Sequence, residues 1–167
     1  MTRKSLLFLF FTLIFTVGLD QAIKYWIMHS LQLGAEIPIF SFISLYHVRN
    51  TGIAFSFLSS YPHWGIIALT LIIIVFLLWL LKNTAKDKFL SHFGITLIIG
   101  GAIGNLIDRV RFHYVIDYLL FHIRDVFSFA VFNLADTFIT LGAVAVLIDE
   151  FCICAKKKRY SNNTSLE

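Results

Sequence analysis

Four long apolar stretches dominate the chain, and short polar stretches separate them. A membrane hydrocarbon core of about 30 Å requires about 20 predominantly apolar helical residues. The first stretch also resembles a secretory leader, but Asp20 and Lys24 continue its helical spacing, so we expect a retained span. The predicted spans are residues 5–27, 64–81, 89–108 and 132–155. The pattern therefore predicts an all-α membrane fold built on a four-transmembrane-helix bundle.

Composition agrees with this class, since 58% of the residues are hydrophobic and only 14% are charged. The net charge of +4 is concentrated in basic clusters before the first span, between the second and third, and after the fourth. Because basic clusters beside membrane spans stay in the cytoplasm, we expect cytoplasmic N and C termini. The clusters need no nucleic-acid partner, and membrane lipids are the expected contacts. Residues 1–155 are predicted as one membrane domain with outer loops at 28–63 and 109–131, and residues 156–167 as a basic cytoplasmic tail.

Polar side chains gather near the outer end of the predicted spans. A rise of about 1.5 Å per residue places Asp20 about 24 Å from the basic start of the first span. Asp108 and Asp136 each lie about 30 Å from the basic end of their own spans. Because the inner halves carry little besides hydroxyls, we predict a site at the outer leaflet rather than a pathway through the membrane. The polar groups that share a helix face are Asp20 and Lys24, then Asn105, Asp108 and Arg109, and finally Asn133 and Asp136.

Ionisable residues cost about 2.5 to 3.5 kcal/mol each at the membrane centre, so their presence requires a reason. The structural interpretation is ion pairing, Asp20 with Lys24 and Asp108 with Arg109. Asp117 and Asp136 have no adjacent cation, and the topology brings them to the same depth. Two neighbouring carboxylates cannot both stay ionised, so one keeps a proton and the pair can activate water. We therefore predict a catalytic aspartate pair, with no metal or other cofactor, since the histidines lack ligand spacing.

The outer loops and the third span carry further patterns. Residues 40–48 have strand-like composition and partial alternation, which predicts a strand or hairpin in a small extracytoplasmic β-rich region. Residues 50–52 are turn formers that can bring backbone amides close to a ligand. Residues 56–65 are typical of a segment at the membrane interface. The small residues of "GGAIG", residues 100–104, predict close packing of the third helix against a neighbour.

Three other functions fit parts of this pattern. A small proton-coupled carrier could use Asp117 and Asp136 as a proton relay, but the apolar inner halves of the spans count against it. A scaffold held together by small-residue packing would need neither acid. A Ser-Lys dyad of Ser56 and Lys24 is another peptidase chemistry, although Asp20 lies one helical turn from that lysine.

Five motifs, taken in order, resemble the lipoprotein signal peptidase family, also called signal peptidase II. They are "DQAIK" (residues 20–24), "NTGIAFS" (50–56), "GGAIGNLIDR" (100–109), "VIDY" (115–118) and "FNLAD" (132–136). Each motif alone is modest evidence for the family, but five motifs in this order on a four-span chain are specific to it. They cover the chain from the first helix to the fourth. The usual "V-x-D-F" of the family ends here in Tyr118, and Thr137 stands where serine is common.

The resemblance implies an aspartic endopeptidase of the bacterial inner membrane with its active site at the extracytoplasmic face. Such an enzyme removes the signal peptide from prolipoproteins, on the N-terminal side of a cysteine that carries a diacylglyceryl group. The family uses no cofactor, and we expect a monomer. The implied catalytic residues are Asp117 and Asp136. The implied supporting or substrate-facing residues are Asp20, Lys24, Asn50, Gly52, Asn105, Asp108, Arg109, Asn133 and Ala135.

Overall fold

The computed structural model describes residues 2–52, 63–123, 127–128 and 131–164. Most of the predicted interface segment at residues 56–65, including Ser56, lies outside these residues. The helices of the described part are α1 (Arg3–Ser30), α2 (His63–Asn83), α3 (Phe89–Phe112) and α4 (Leu134–Thr164). Its strands are β1 (Glu36–Phe40), β2 (Ile43–Asn50), β3 (Val115–Ile123) and β4 (Phe127–Ser128).

The fold is mostly helical, and α1, α2 and α3 are each long and apolar enough to cross a membrane. The central helix is α3, because 67% of its apolar segment is buried, against 17% in α1 and in α2. Large apolar side chains such as Phe11 and Ile72 remain exposed on the two outer helices. Exposed apolar helix faces of this kind are stable where the surrounding solvent is hydrocarbon.

Glycines on two faces of α3 allow α1 and α4 to approach its backbone closely. On one face, a Cβ atom added at Gly104 would lie 2.5 Å from Asp20 Oδ2 of α1, and one at Gly100 would overlap the same helix. On the other face, a Cβ atom at Gly101 would overlap the carbonyl oxygen of Ala135 in α4. The close packing predicted from "GGAIG" is therefore confirmed, and it serves two neighbouring helices.

The outer residues form a small antiparallel sheet with the strand order β1-β2-β3-β4. The strand or hairpin predicted at residues 40–48 is confirmed as a hairpin, whose two strands begin and end beyond that range. Strands β2 and β3 come from different loops, and their register pairs Val48 with Asp117 and Asn50 with Val115. The turn that follows β2 therefore lies beside Asp117.

The sheet packs on one end of the helices and is bonded directly to the start of α4. Ile27 of α1 packs with Ile116 and Tyr118 of β3 in a buried cluster. Phe132, just before α4, bridges to Leu119 of β3 through reciprocal N–H···O bonds of 3.0 and 2.8 Å. Strand β3 and the first turn of α4 are thus held side by side.

The helix ends differ from the predicted spans in ways that matter for the site. Helices α1 and α3 continue beyond the predictions, and α3 stops where His113 adopts a left-handed conformation with φ of 67°. Helix α4 begins at Leu134, so Asn133 precedes the helix instead of lying within it. The backbone of α4 also continues to Thr164, through residues that were predicted as a tail. Three helix ends and the sheet consequently meet around the predicted acids.

Candidate active site

Asp117 lies in β3, and only 2% of the residue is exposed. Asn50 Nδ2 donates a hydrogen bond of 2.9 Å to Oδ2, and Asn133 Nδ2 donates one of 2.7 Å to Oδ1. Burial raises the pKa of Asp117 to about 7, and the Asp136 carboxylate acts in the same direction, whereas the two amide donors oppose the rise. The carboxyl group of Asp117 is therefore suited to hold a proton near neutral pH.

Asp136 lies in the first turn of α4, where it closes a reciprocal capping box with Asn133. The Asp136 N–H donates to Asn133 Oδ1 at 2.9 Å, and the Asn133 N–H donates to Asp136 Oδ2 at 3.3 Å. Asn105 Nδ2 donates to the other carboxylate oxygen, Oδ1, at 2.8 Å. The Asn105 amide and the Asn133 N–H therefore hold both oxygens of the Asp136 carboxylate in fixed positions.

Two asparagines connect the acids. Asn133 Nδ2 donates to Asn105 Oδ1 at 3.1 Å as well as to Asp117, so both of its N–H groups are used. Asn105 Oδ1 also accepts a hydrogen bond of 2.9 Å from Lys24 Nζ, which turns the Asn105 NH₂ group towards Asp136. Each amide is therefore fixed in one orientation, and the two carboxyl groups are held by a continuous set of hydrogen bonds.

A buried ion network lies behind this set. Lys24 Nζ is 2.9 Å from Asp20 Oδ2 and 2.9 Å from Asp108 Oδ2, and all three side chains are almost fully buried. The sequence-based ion pair of Asp20 with Lys24 is confirmed. The pair of Asp108 with Arg109 is wrong, because consecutive helical residues point in different directions and Lys24 reaches Asp108 from α1.

Arg109 instead binds backbone carbonyl groups. Its Nη2 donates to the Gly52 oxygen at 2.8 Å, and its Nη1 donates to the Asn105 oxygen at 3.4 Å. The Gly52 N–H in turn donates to Asn50 Oδ1 at 3.0 Å, which forms the predicted turn. Arg109 therefore anchors the turn whose Asn50 side chain binds Asp117.

The first amides of α4 all find acceptors at the site. The N–H of Ala135, a fully buried residue, donates to Asp20 Oδ1 at 3.0 Å. The Leu134 N–H donates to the Tyr118 hydroxyl at 3.1 Å. Since amides in the first turn have no partner within the helix, these contacts fix the start of α4 against α1 and β3. Burial raises the pKa of Tyr118, so its phenol stays neutral.

A cavity of about 740 Å³ opens onto the two acids. Its strongly polar lining consists of Asn50, Asn105, Arg109, Asp117 and Asp136, and three hydroxyl side chains, Thr70, Thr137 and Thr140, also line it. The rest of the lining is mainly apolar and comes from α2, α3 and α4, with Val115 of β3 and residues 131–132 just before α4. The other predicted residues do not line the cavity and contact this group either directly or through one another; they are Asp20, Lys24, Gly52, Asp108, Asn133 and Ala135. Among the described residues, no three His, Cys, Asp or Glu side chains are grouped as metal ligands.

Sequence reasoning missed two contributors. Gln21 Nε2 donates to Asp108 Oδ1 at 2.9 Å and to the Gly104 oxygen at 3.1 Å, and so joins α1 to α3. Tyr118 was interpreted from the sequence only as a replacement of one aromatic residue by another. The hydrogen bond that its hydroxyl accepts from the Leu134 N–H was not predicted. The capping box was also missed, although N-x-x-D in "FNLAD" has the spacing of its S/T-x-x-E/Q signature and could have placed Asn133 just before the helix.

Comparison with known proteins identifies the class. The family model described as signal peptidase (SPase) II matches residues 12–152. A lipoprotein signal peptidase of Bartonella quintana is 68% identical over 164 residues, 98% of this chain and 98% of the relative. One of Bartonella bacilliformis is 72% identical over 96% of this chain and 97% of the relative. One of Sinorhizobium fredii is 49% identical over 84% of this chain and 83% of the relative.

Solved structures have the same fold. A bacterial membrane enzyme determined at 2.3 Å by the in meso method superposes with a TM-score of 0.81 at 28% identity, over 89% of this chain and 90% of that one. A second, determined at 1.9 Å, gives a TM-score of 0.74 at 29% identity, over 84% of this chain and 90% of that one. The fold and these matches define a membrane peptidase. The chain belongs to the signal peptidase II family.

Proposed function

We propose that this enzyme removes the signal peptide from bacterial prolipoproteins, on the N-terminal side of the diacylglyceryl-modified cysteine, with Asp117 and Asp136 activating water. The observation that carries the proposal is that both acids line one cavity and are joined through Asn105 and Asn133. The names of the relatives, all lipoprotein signal peptidases, support the choice of substrate.

Asp117 is the acid that holds the resting proton. Its burial and the neighbouring charge both favour the neutral form, and its pKa of about 7 keeps it protonated below neutral pH. Asp136 is the base, since Asp117 holds the proton of the pair and two hydrogen-bond donors position the Asp136 carboxylate oxygens at the cavity. The two environments thus give the two carboxyl groups opposite roles.

The reaction uses both acids twice. Asp136 takes a proton from water while the water oxygen attacks the peptide carbonyl carbon, and Asp117 gives its proton to the carbonyl oxygen. The resulting gem-diol returns one hydroxyl proton to Asp117, and Asp136 passes its proton to the amide nitrogen. The C–N bond then breaks, which leaves the signal peptide as a carboxylic acid, the lipidated cysteine as an amine and the dyad in its starting state.

The residues around the dyad position these groups. Lys24 fixes the Asn105 amide, and Asn105 and Asn133 orient the two carboxyl groups. Asp20 and Asp108 balance the charge of Lys24 within the buried network. Arg109 supports the turn at Gly52 and presents a cation to the cavity.

The chain forms a four-span domain at residues 1–155 in the bacterial inner membrane, with cytoplasmic termini and the acids at the extracytoplasmic face. The apolar character of α1, α2 and α3 and the basic clusters at one end of the helices support this topology. Residues 156–167 are its basic cytoplasmic extension, and the enzyme acts as a monomer among membrane lipids.

The cavity suits a lipidated substrate. Below the acids its walls are apolar, with Leu69 and Ile73 from α2, Ile98 from α3 and Leu141 from α4. A signal-peptide helix and acyl chains can therefore remain in hydrocarbon while the scissile bond reaches Asp117 and Asp136 near the interface. The lipid restricts both the position and the orientation of the substrate.

Cleavage of a purified diacylglyceryl-modified precursor, followed by mass spectrometry, tests the proposal. Asp117→Asn and Asp136→Asn should each lower kcat by about 10²- to 10⁴-fold, because each removes one proton-transfer group. Asp87→Asn, which changes an exposed acid between α2 and α3, is the matched control and should keep wild-type activity. Near-normal cleavage by either dyad variant would refute the catalytic assignment, and equal cleavage of the unlipidated precursor would refute the substrate assignment.

A further inference from the structure

A second cavity, of about 630 Å³, lies between α1, α3 and α4, away from the acids. Its walls carry Phe8, Phe11 and Phe15 of α1, together with aromatic and aliphatic residues of α3 and α4. We call it the phenylalanine groove. Leu141 is the one lining residue that it shares with the active-site cavity, so the two open on different sides of α4.

The groove offers no free side-chain hydrogen-bond donor to an occupant. Its only polar side chains are Thr12 and Thr16, and both hydroxyls donate within α1, to the Phe8 and Leu13 carbonyl oxygens, each at 2.9 Å. A polar solute would lose most of its hydrogen bonds to water there. The groove therefore favours a hydrocarbon occupant.

One end of the groove is basic on its α1 side, while on α4 the acid Asp149, four residues beyond Ala145, accepts two hydrogen bonds from Ser91. Lys4 shares a helical face with Phe8, Phe11 and Phe15, at spacings of four, seven and eleven residues. Arg3 and Lys4 are exposed, and within the described residues neither forms an ion pair. A ligand that follows this face therefore meets hydrocarbon along the groove and positive charge at its mouth.

The dimensions favour a single acyl chain over a helix. From Phe8 to Thr16 the groove runs about 12 Å along α1. A helix about 10 Å across occupies roughly 900 Å³ over this length, so the groove of about 630 Å³ could not enclose it. An acyl chain is thin enough to enter, and a phosphate head group at the basic end complements its charge.

We propose that the phenylalanine groove binds one acyl chain of an anionic phospholipid whose head group lies against Arg3 and Lys4. The inference rests on the membrane insertion proposed above, but not on the cleavage reaction. It identifies a lipid site separate from the one that receives the lipidated substrate.

Native mass spectrometry of the delipidated full chain, titrated with phosphatidylglycerol or phosphatidylcholine of identical acyl chains, tests this site. Wild type should bind one phosphatidylglycerol about fivefold more tightly per cation engaged. Lys4→Gln should reduce this preference about fivefold, whereas Lys82→Gln, a cation at the end of α2, should not. Thr12→Trp should fill the groove and weaken both lipids about tenfold, and the neighbouring exposed site Ile14→Trp should leave binding unchanged.

Equal lipid binding by Thr12→Trp and Ile14→Trp would overturn the proposal, as would a wild type without preference for the anionic lipid. The titration contains no precursor, so its result does not depend on whether Asp117 and Asp136 are catalytic. Folding of each variant is checked by circular dichroism, and Lys4→Gln, which alters an exposed side chain, gives an answer even if the tryptophan variant is unstable.

Discussion

At the scale of single residues, Asp136 has both a structural and a proposed catalytic role. It closes the capping box of α4 through Oδ2, while its Oδ1 accepts from Asn105 and its side chain lines the cavity. These contacts fix both oxygens of the carboxylate that acts as the base in the proposed reaction. Asp117 is buried in β3, and burial raises its pKa, which favours the proton that the acid requires. The strand β3 and the first turn of α4 therefore place the proposed acid and the proposed base in different environments.

Tyr118 gives a prediction for one hydroxyl group. The Tyr118 hydroxyl accepts a hydrogen bond from the Leu134 N–H. Tyr118→Phe removes this acceptor and should leave the first turn of α4 less firmly held against β3. A lost hydrogen bond is worth about 0.5 to 1.5 kcal/mol, so we expect kcat to fall by about two- to tenfold with KM unchanged. Steady-state kinetics on lipidated precursor, with Tyr46→Phe in β2 as control, provides the check. An unchanged kcat would mean that the hydroxyl does not position α4.

At the scale of secondary structure elements, the two faces of α3 explain why the site assembles. Hydrophobic runs were sufficient to predict the helices, and small residues predicted one close contact. The second face of α3 could not be predicted, because adjacent Gly100 and Gly101 point to different helices and nothing local says which neighbour each meets. The predicted ion-pair partner of Asp108 was wrong for the same reason, because the actual partner, Lys24, is distant in sequence. The β2–β3 pairing joins separate loops and depends on the tertiary fold.

Gly104→Ala tests the contact between α1 and α3. The new methyl group would press on Asp20, which holds the Ala135 amide at the start of α4. We expect a loss of about 1 to 3 kcal/mol in stability, seen as a lower melting temperature in detergent, together with reduced cleavage. Gly18→Ala is the matched control on α1, where no atom lies within 4 Å of the added Cβ. The prediction fails if both variants melt at the same temperature.

At the scale of the whole molecule, charge and polarity are distributed unequally along the helices. The buried ion network, the asparagines and the acids lie where α1, α3 and α4 meet the sheet. The opposite end carries the basic clusters. Hydropathy and the positions of the basic residues were enough to predict that the two ends of the helices differ in this way. Both patterns are typical of chains that cross a bilayer. The helical rise predicts the depth of Asp136, whereas the hydrogen-bond partners of both acids required the structure.

Reporter fusions test the proposed topology. Alkaline phosphatase inserted at residue 41, in the turn between β1 and β2, should be active because that turn would lie outside the cytoplasm. Fusions at residue 86, between α2 and α3, or after residue 167 should be inactive, since the enzyme needs oxidised cysteines. Activity at residue 86 would contradict the orientation.

The pH dependence of cleavage tests most directly whether Asp117 and Asp136 share one proton. Burial and the neighbouring carboxylate raise the pKa of Asp117 to about 7, so Asp117 keeps its proton below that pH and loses it above. We predict that kcat/KM for the lipidated precursor falls about tenfold per pH unit above about 7, while circular dichroism shows an intact fold. A rate that stays constant up to about pH 9 would contradict the account, because the acid that donates to the carbonyl oxygen would then not be Asp117.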